Sequence, residues 1–180
     1  QGTQTFSAVG PFSIARSLAI VMPTNDGQAV VLGGSTPTGA NLPTNMPIEL
    51  FNPENSSIST LQSSLFADED GWHISTRTNY SKEQLMQDGR YLWMAGKSIN
   101  SVGYRRLFTF DPETKTTAEF VTYPALPNST IYSLSQPLVD YLRNIAHILA
   151  VVPGSGFPVC KVISIDLETG NLTISSNSYN

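Results

Sequence analysis

The sequence predicts an all-β chain built from three four-stranded antiparallel units, and three observations predict it. First, a tight turn, an apolar strand and paired glycines form Asp26-Gly27-Gln28-Ala29-Val30-Val31-Leu32-Gly33-Gly34, and Pro47-Ile48-Glu49-Leu50-Phe51-Asn52-Pro53-Glu54 completes the motif. Second, the motif returns as Asp88-Gly89-Arg90-Tyr91-Leu92-Trp93-Met94-Ala95-Gly96 with Leu107-Phe108-Thr109-Phe110-Asp111-Pro112-Glu113-Thr114. Gly27 and Gly34 are spaced as Gly89 and Gly96 are, so these hairpins match without a gap, and a worn third copy runs through Ile148–Gly154 and Val162–Gly170. Third, the period is roughly 50 to 60 residues with several short strands in each unit, whereas helical repeats are shorter and carry a 3.6-residue apolar rhythm.

The first unit spans approximately residues 11–64. Residues 1–15 read as an entry strand or loop with Phe6, Phe12 and Ile14 as anchors, and Arg16–Met22 as a strand. Pro23-Thr24-Asn25-Asp26-Gly27 is its turn, because Asp-Gly supplies the positive φ of a tight hairpin. Gln28–Leu32 is a continuous apolar strand short enough to be buried on both faces. Gly33-Gly34 lets the backbone bend or approach a neighbour closely. Ser35–Met46 is a long loop rich in Pro, Gly, Thr and Asn, of a length that usually covers or binds something. Pro47–Phe51 and Ile58–Leu61 supply the remaining strands around a turn at Asn52-Pro53-Glu54.

The second unit, 72–122, follows the acidic connector Ala67-Asp68-Glu69-Asp70. Its inner strand is Thr78–Met86, although Lys82-Glu83-Gln84-Leu85 is also helix-prone. Arg90–Met94, Tyr104–Phe110 and Ala118–Thr122 complete it. The third unit, 130–176, admits two readings. Leu138, Leu142, Ile145 and Leu149 recur at helical spacing between Pro137 and Pro153-Gly154. Repeat logic instead gives strands Pro137–Leu142 and Ala146–Val152, followed by Lys161–Ile165 and Leu172–Ser175. In the strand reading Cys160 is expected to be buried if its strand is central to the blade, and accessible for joining two chains if the third unit is the free edge.

Composition narrows the setting. Charged residues are 13% of the chain and the net charge is −4 with no basic block, which disfavours nucleic acid and acidic membrane surfaces as partners. No apolar run reaches the roughly 18 residues of a membrane span. Ser, Thr and Asn take the place of charge, as suits an extracellular or cell-surface β-protein, and a chain starting at Gln1 fits a processed one. Acceptor sequons for glycosylation stand at Asn55, Asn79, Asn128 and Asn171. The single Cys160 permits no internal disulfide.

Glycines closing an apolar strand, then an apolar strand running into Phe110-Asp111-Pro112-Glu113-Thr114, resemble kelch-type β-propeller blades. Met86-Gln87-Asp88-Gly89-Arg90-Tyr91-Leu92-Trp93-Met94-Ala95-Gly96 is similar in particular to the propeller of the fungal glyoxal oxidase and galactose oxidase group. That resemblance implies part of a β-propeller. The oxidases of the group hold copper through two tyrosines and two histidines, with one tyrosine cross-linked to a cysteine. This chain lacks that pattern: His73 and His147 are isolated, Tyr80 follows Arg77-Thr78-Asn79, and Cys160 falls in the third unit. Three blades cannot close a ring, since closed propellers have four to eight. The chain is therefore expected to be a fragment of a longer propeller or to self-associate.

The function expected from these observations is a secreted, non-catalytic propeller that binds a glycan or protein through its blade loops, chiefly Ser35–Met46 and Ile99–Tyr104. Candidate ligand contacts are Trp72, whose indole could stack on a sugar beside His73, and Tyr104 with Arg105. An inter-blade core Trp is the plainer reading of Trp72. Asp68-Glu69-Asp70 could ligate calcium, or form a solvated turn. Arg105 and Arg106 lie on opposite sides of one strand, so only one of them can grip a given carboxylate. No cofactor is expected, copper entering only if the chain is part of a copper-radical oxidase. A structural role in an extracellular assembly is a further alternative.

Overall fold

The computed structural model describes residues 19–34, 47–62, 83–99, 102–123, 133–152 and 155–176, together with Phe12 and Arg16. The described residues form three antiparallel sheets and no helix. The first sheet holds β1 (Ile20–Pro23), β2 (Ala29–Leu32), β3 (Ile48–Asn52) and β4 (Ser57–Gln62) side by side in chain order. The second repeats that order with β5 (Gln84–Leu85), β6 (Tyr91–Ile99), β7 (Val102–Asp111) and β8 (Thr116–Tyr123). In the third, β10 (Leu138–Asp140), β11 (Ile145–Val152), β12 (Val159–Asp166) and β13 (Leu172–Ile174) give the same four-stranded path.

A short β9 (Ser133–Leu134) pairs with the far end of β11, on the edge that β10 also uses. The two behave as one interrupted edge strand. Ser135 bridges the gap: its N–H donates to the Leu149 carbonyl at 2.8 Å, and its hydroxyl accepts from the Leu149 N–H at 2.9 Å. Pro137, which has no N–H to offer the ladder, follows it.

The turns explain why one pattern recurs three times. The residue closing the first turn of each sheet has positive φ: Gly27 at 79°, Gly89 at 87° and Asn144 at 54°. Glycine and asparagine are the residues that enter this region most readily. The turn between third and fourth strands starts in each case with an acceptor side chain. Asn52, Asp111 and Asp166 accept the N–H of Glu54, Glu113 and Glu168 at 2.9, 2.8 and 3.0 Å. Four residues beyond that acceptor, φ is positive again at Ser56, Lys115 and Gly170.

Register makes the faces equivalent as well. Val31 opposes Glu49, Trp93 opposes Phe108, and Ile148 opposes Ile163; these pairs hold one position on what we call the leading face. Val30 with Leu50, Leu92 with Thr109, and His147 with Ser164 hold one position on the trailing face. Ile20, Met22, Val30, Leu32 and Ile48 from the trailing face of the first sheet share a core with Trp93, Ala95, Phe108 and Phe110 from the leading face of the second. Leu92, Met94 and Leu107 from the second sheet's trailing face share another with Ala146, Ile148, Ala150, Ile163 and Ile165 from the third. The middle sheet is thus buried on both sides, which is why β6 reads as an uninterrupted apolar run. This stacking is compatible with consecutive blades of a β-propeller.

A bulge opposite Leu107 and Phe108 skips Phe120 in the β7–β8 ladder, and both Phe120 and Val121 pack on the second core. The extra residue re-aims a side chain that strict alternation would send the other way.

Several expectations need correcting. Arg16 does not belong to the first strand, which starts at Ile20. The helical reading of 136–152 fails: Leu142 is 89% exposed in the turn after β10, so its contribution to the helical spacing is accidental. Ile99–Tyr104 is no open loop, because Ile99, Gly103 and Tyr104 pair with Val102, Ser98 and Lys97. Those strands extend past the apolar residues, held by backbone pairing that hydrophobicity does not mark. Cys160 is only half-buried, since it lies on the trailing face of the third sheet, opposite Val151.

Candidate functional site

The connections from second to third strand leave the same end of each sheet. In the first sheet this end carries Arg16, Gly33, Pro47 and Glu49. Glu49 stands on β3 at the leading-face position that Phe108 and Ile163 hold in the other sheets. Its carboxylate meets the Arg16 guanidinium at 2.5 Å, and both side chains are 1% exposed. Arg16 also donates to the carbonyls of Gly33 and Pro47, at 3.3 Å each, and its guanidinium lies 5.9 Å from the Phe12 ring centroid.

A buried ion pair survives only when further hydrogen bonds satisfy its remaining donors. Arg16 uses the two backbone carbonyls for this, although its Nε finds no partner among the described residues. Burial pulls the Arg16 pKa below its ordinary value, and the charge and hydrogen bond of Glu49 oppose that pull. Gly33 and Pro47 flank residues 35–46, so one side chain ties together both stems of the longest inter-strand segment in the first sheet. In the third sheet the same end displays Phe157, 83% exposed, between Gly156 and Pro158.

The opposite end is held together by polar contacts between turns. Lys115 Nζ donates to Asp26 at 2.6 Å and to the Gln28 side chain at 2.9 Å, and the Asn25 N–H donates to the Pro112 carbonyl at 3.1 Å. The hydrogen bond from Lys115, with one from Thr24, holds the Asp26 carboxyl below the usual range. Asp111 and Asp166 are lowered chiefly by backbone N–H groups of their turns, and Asp140 by the Arg143 side chain. At Asp88 burial pushes upward, but hydrogen bonds from Arg90 outweigh it and the net shift is down. These carboxylates organise turns.

Of the ligand-contact candidates, Tyr104 and Arg105 lie on β7, where Tyr104 opposes Lys97 and Arg105 sits between Gly96 and Tyr123. Trp72 and His73 lie outside the described residues, as do Ser35–Met46, Asp68-Glu69-Asp70, Asn79 and Asn128. Asn55 and Asn171 are both exposed, the former in the turn before β4 and the latter just before β13. His147 Nδ1 lies 2.9 Å from the Ser164 hydroxyl across the β11–β12 ladder. Among the described residues, no three His, Cys, Asp or Glu side chains converge as a metal would require. No described helix is long and apolar enough to cross a membrane.

Sequence reasoning missed the Arg16–Glu49 pair. A signal existed: Glu49 is the one charge inside Pro47-Ile48-Glu49-Leu50-Phe51, where the repeat places Phe108 and Ile163. A charge at an interior position calls for a buried partner. No protein-family model matches the chain, and comparison with curated proteins gives no match.

Proposed function

We propose that this chain forms blades of a kelch-type β-propeller that bind a glycan or a protein outside the cell, through the end carrying the second-to-third-strand connections. The observation that supports this reading is the Arg16 clamp. A buried guanidinium joined to both Gly33 and Pro47 gives a rigid base to a segment whose length and polarity suit ligand contact. Recognition sites gain from such support, because a pre-ordered stem lowers the entropy lost on binding. Phe157 adds an exposed aromatic ring at the corresponding end of the third sheet, a surface on which a sugar face can stack. Exposed Asn55 and Asn171 are open to glycosylation in a secretory compartment.

Binding to a glycan array, followed by calorimetry on any hit, tests the reading. Phe157→Ala and Arg105→Ala should weaken the hit by tenfold or more, and Leu142→Ala at the opposite end should leave it unchanged. Equal loss from all three variants, or binding that only Leu142→Ala removes, would contradict the assignment of the binding end. Peroxide release by the copper-treated chain on aldehydes or primary alcohols would favour the oxidase alternative instead.

A further inference from the structure

The two junctions within the chain are built in one order, trailing face onto leading face, and this leaves one face of each kind with no partner sheet among the described residues. The trailing face of the third sheet carries His147, Leu149, Val162 and Ser164. Leu149 is 53% exposed and Leu138, beside His147, is 63% exposed. At the position of Leu149, Leu32 and Met94 are 1% and 0% exposed, because another sheet covers them. On the leading face of the first sheet Val31 and Glu49 are already buried, with Arg16 against Glu49, but nearer the Asp26 turn Val21 is 49% exposed, with Ala29, Phe51 and Ile58 partly exposed beside it. The charge of Glu49 on that face is already neutralised by Arg16.

We propose that a second copy of this chain covers the His147 face with the Val21 face of its own first sheet, the two copies closing a ring of six sheets. The proposal rests on the propeller reading but not on ligand binding by the loops. Two observations select a second copy, docked head to tail. The first is continuity: the leftover faces are one trailing and one leading, so the new junction has the order of the two that exist. Heterologous contacts of this kind make a ring when the rotation closes, and six blades fall within the range of closed propellers.

The second is charge. At the first junction Asp26, in the turn after β1, receives Lys115 from the turn after β7. Register places Arg143 of the third sheet where Asp26 stands, and Ser56 where Lys115 stands, with Glu54 two residues away in the same turn. The polarity is reversed and still complementary: Arg143 is 74% exposed even while paired with Asp140, and Glu54 is exposed. The docked face also brings His147 under cover with its Nδ1 and the Ser164 hydroxyl already paired with each other, which leaves the imidazole Nε2 to be met by the covering face.

Sedimentation velocity on the 180-residue chain tests this, with a dimer as the expected species in the micromolar range. Leu149→Asp and Val21→Asp each place a charge in both junctions of the ring, and each should weaken dimerisation on the order of a hundredfold. Mixing the two variants should restore association, because a mixed pair regains one junction free of either substitution. Arg143→Glu should weaken the dimer and Glu54→Lys in the same chain should recover it; both sites are exposed, so folding is not at stake. A monomeric parent chain overturns the proposal. So does a dimer indifferent to Val21→Asp, which is the behaviour of two His147 faces meeting each other, or a failure of the mixture to associate. None of these outcomes bears on the glycan array, so loss of the dimer and loss of loop binding are separate results.

Discussion

Glu49 and Arg16 form a buried pair at the strand position where the second sheet stacks Phe108 on Trp93, the two rings 4.5 Å apart and 13° from parallel. One register position thus carries an ion pair in one sheet and an aromatic stack in the next. Removing one partner should be worse than removing both. Glu49→Ala strands a buried guanidinium and should cost about 3–5 kcal/mol in urea unfolding. Replacing both residues by leucine should be near neutral, or stabilising by about 1–4 kcal/mol. If the two substitutions instead add, the pair is not coupled as described.

Trp93 is completely buried between the first two sheets. Trp93→Ala should cost about 3–5 kcal/mol, and Trp93→Phe much less, because the stack on Phe108 is partly kept. Equal losses from the two substitutions in the same unfolding series would show that the ring does not fill this junction. Trp93 Nε1 finds no hydrogen-bond partner among the described residues, which adds a reason for phenylalanine to be tolerated.

Much of this was legible in the turns. Asp-Gly at 26–27 and 88–89, and the acceptors Asn52, Asp111 and Asp166, mark local geometry that depends on a few adjacent residues. The apolar runs at Gln28–Leu32 and Arg90–Met94 identify β2 and β6 as strands, and the first is short enough to be buried on both faces. What the sequence left obscure depends on partners far apart in the chain. Arg16 finds Glu49 across the first sheet, Ser135 repairs an edge, and β6 and β7 pair well past their apolar residues. His147 occupies the position of Val30 and Leu92, and only three dimensions show that its face is the open one. The proposed binding end is less legible still, since Phe157 lies in a connection between strands rather than at a repeated position of the strand pattern.

Gly89 has φ of 87°, and a Cβ built there would meet nothing within 4 Å. Gly89→Ala should therefore cost only the backbone term, about 1–2 kcal/mol. Gly89→Asn should cost much less, because Asn144 holds the same turn position in the third sheet. Chemical denaturation distinguishes them, and equal losses would refute the equivalence of the turns.

Asp26, Asp88, Asp111, Asp140 and Asp166 all have carboxyls lowered in the fold. A lowered folded-state pKa contributes stability that is fully present above the unfolded value of about 3.9 and lost as pH falls through the folded value. The melting temperature should vary little from these groups between about pH 5 and 7, then drop below about pH 4. Asp111→Asn keeps an acceptor for the turn and should flatten part of the acid drop. A melting temperature that rises on acidification would contradict the assignment.

Native-state amide exchange tests the stack of three sheets most directly, because the middle sheet is the one covered on both faces. The amides of Trp93, Met94, Leu107 and Phe108 should be the slowest in the chain and open only with global unfolding, while those of β10 and β13 exchange sooner. Exchange at these β6 and β7 positions as fast as at β10 or β13 would contradict it.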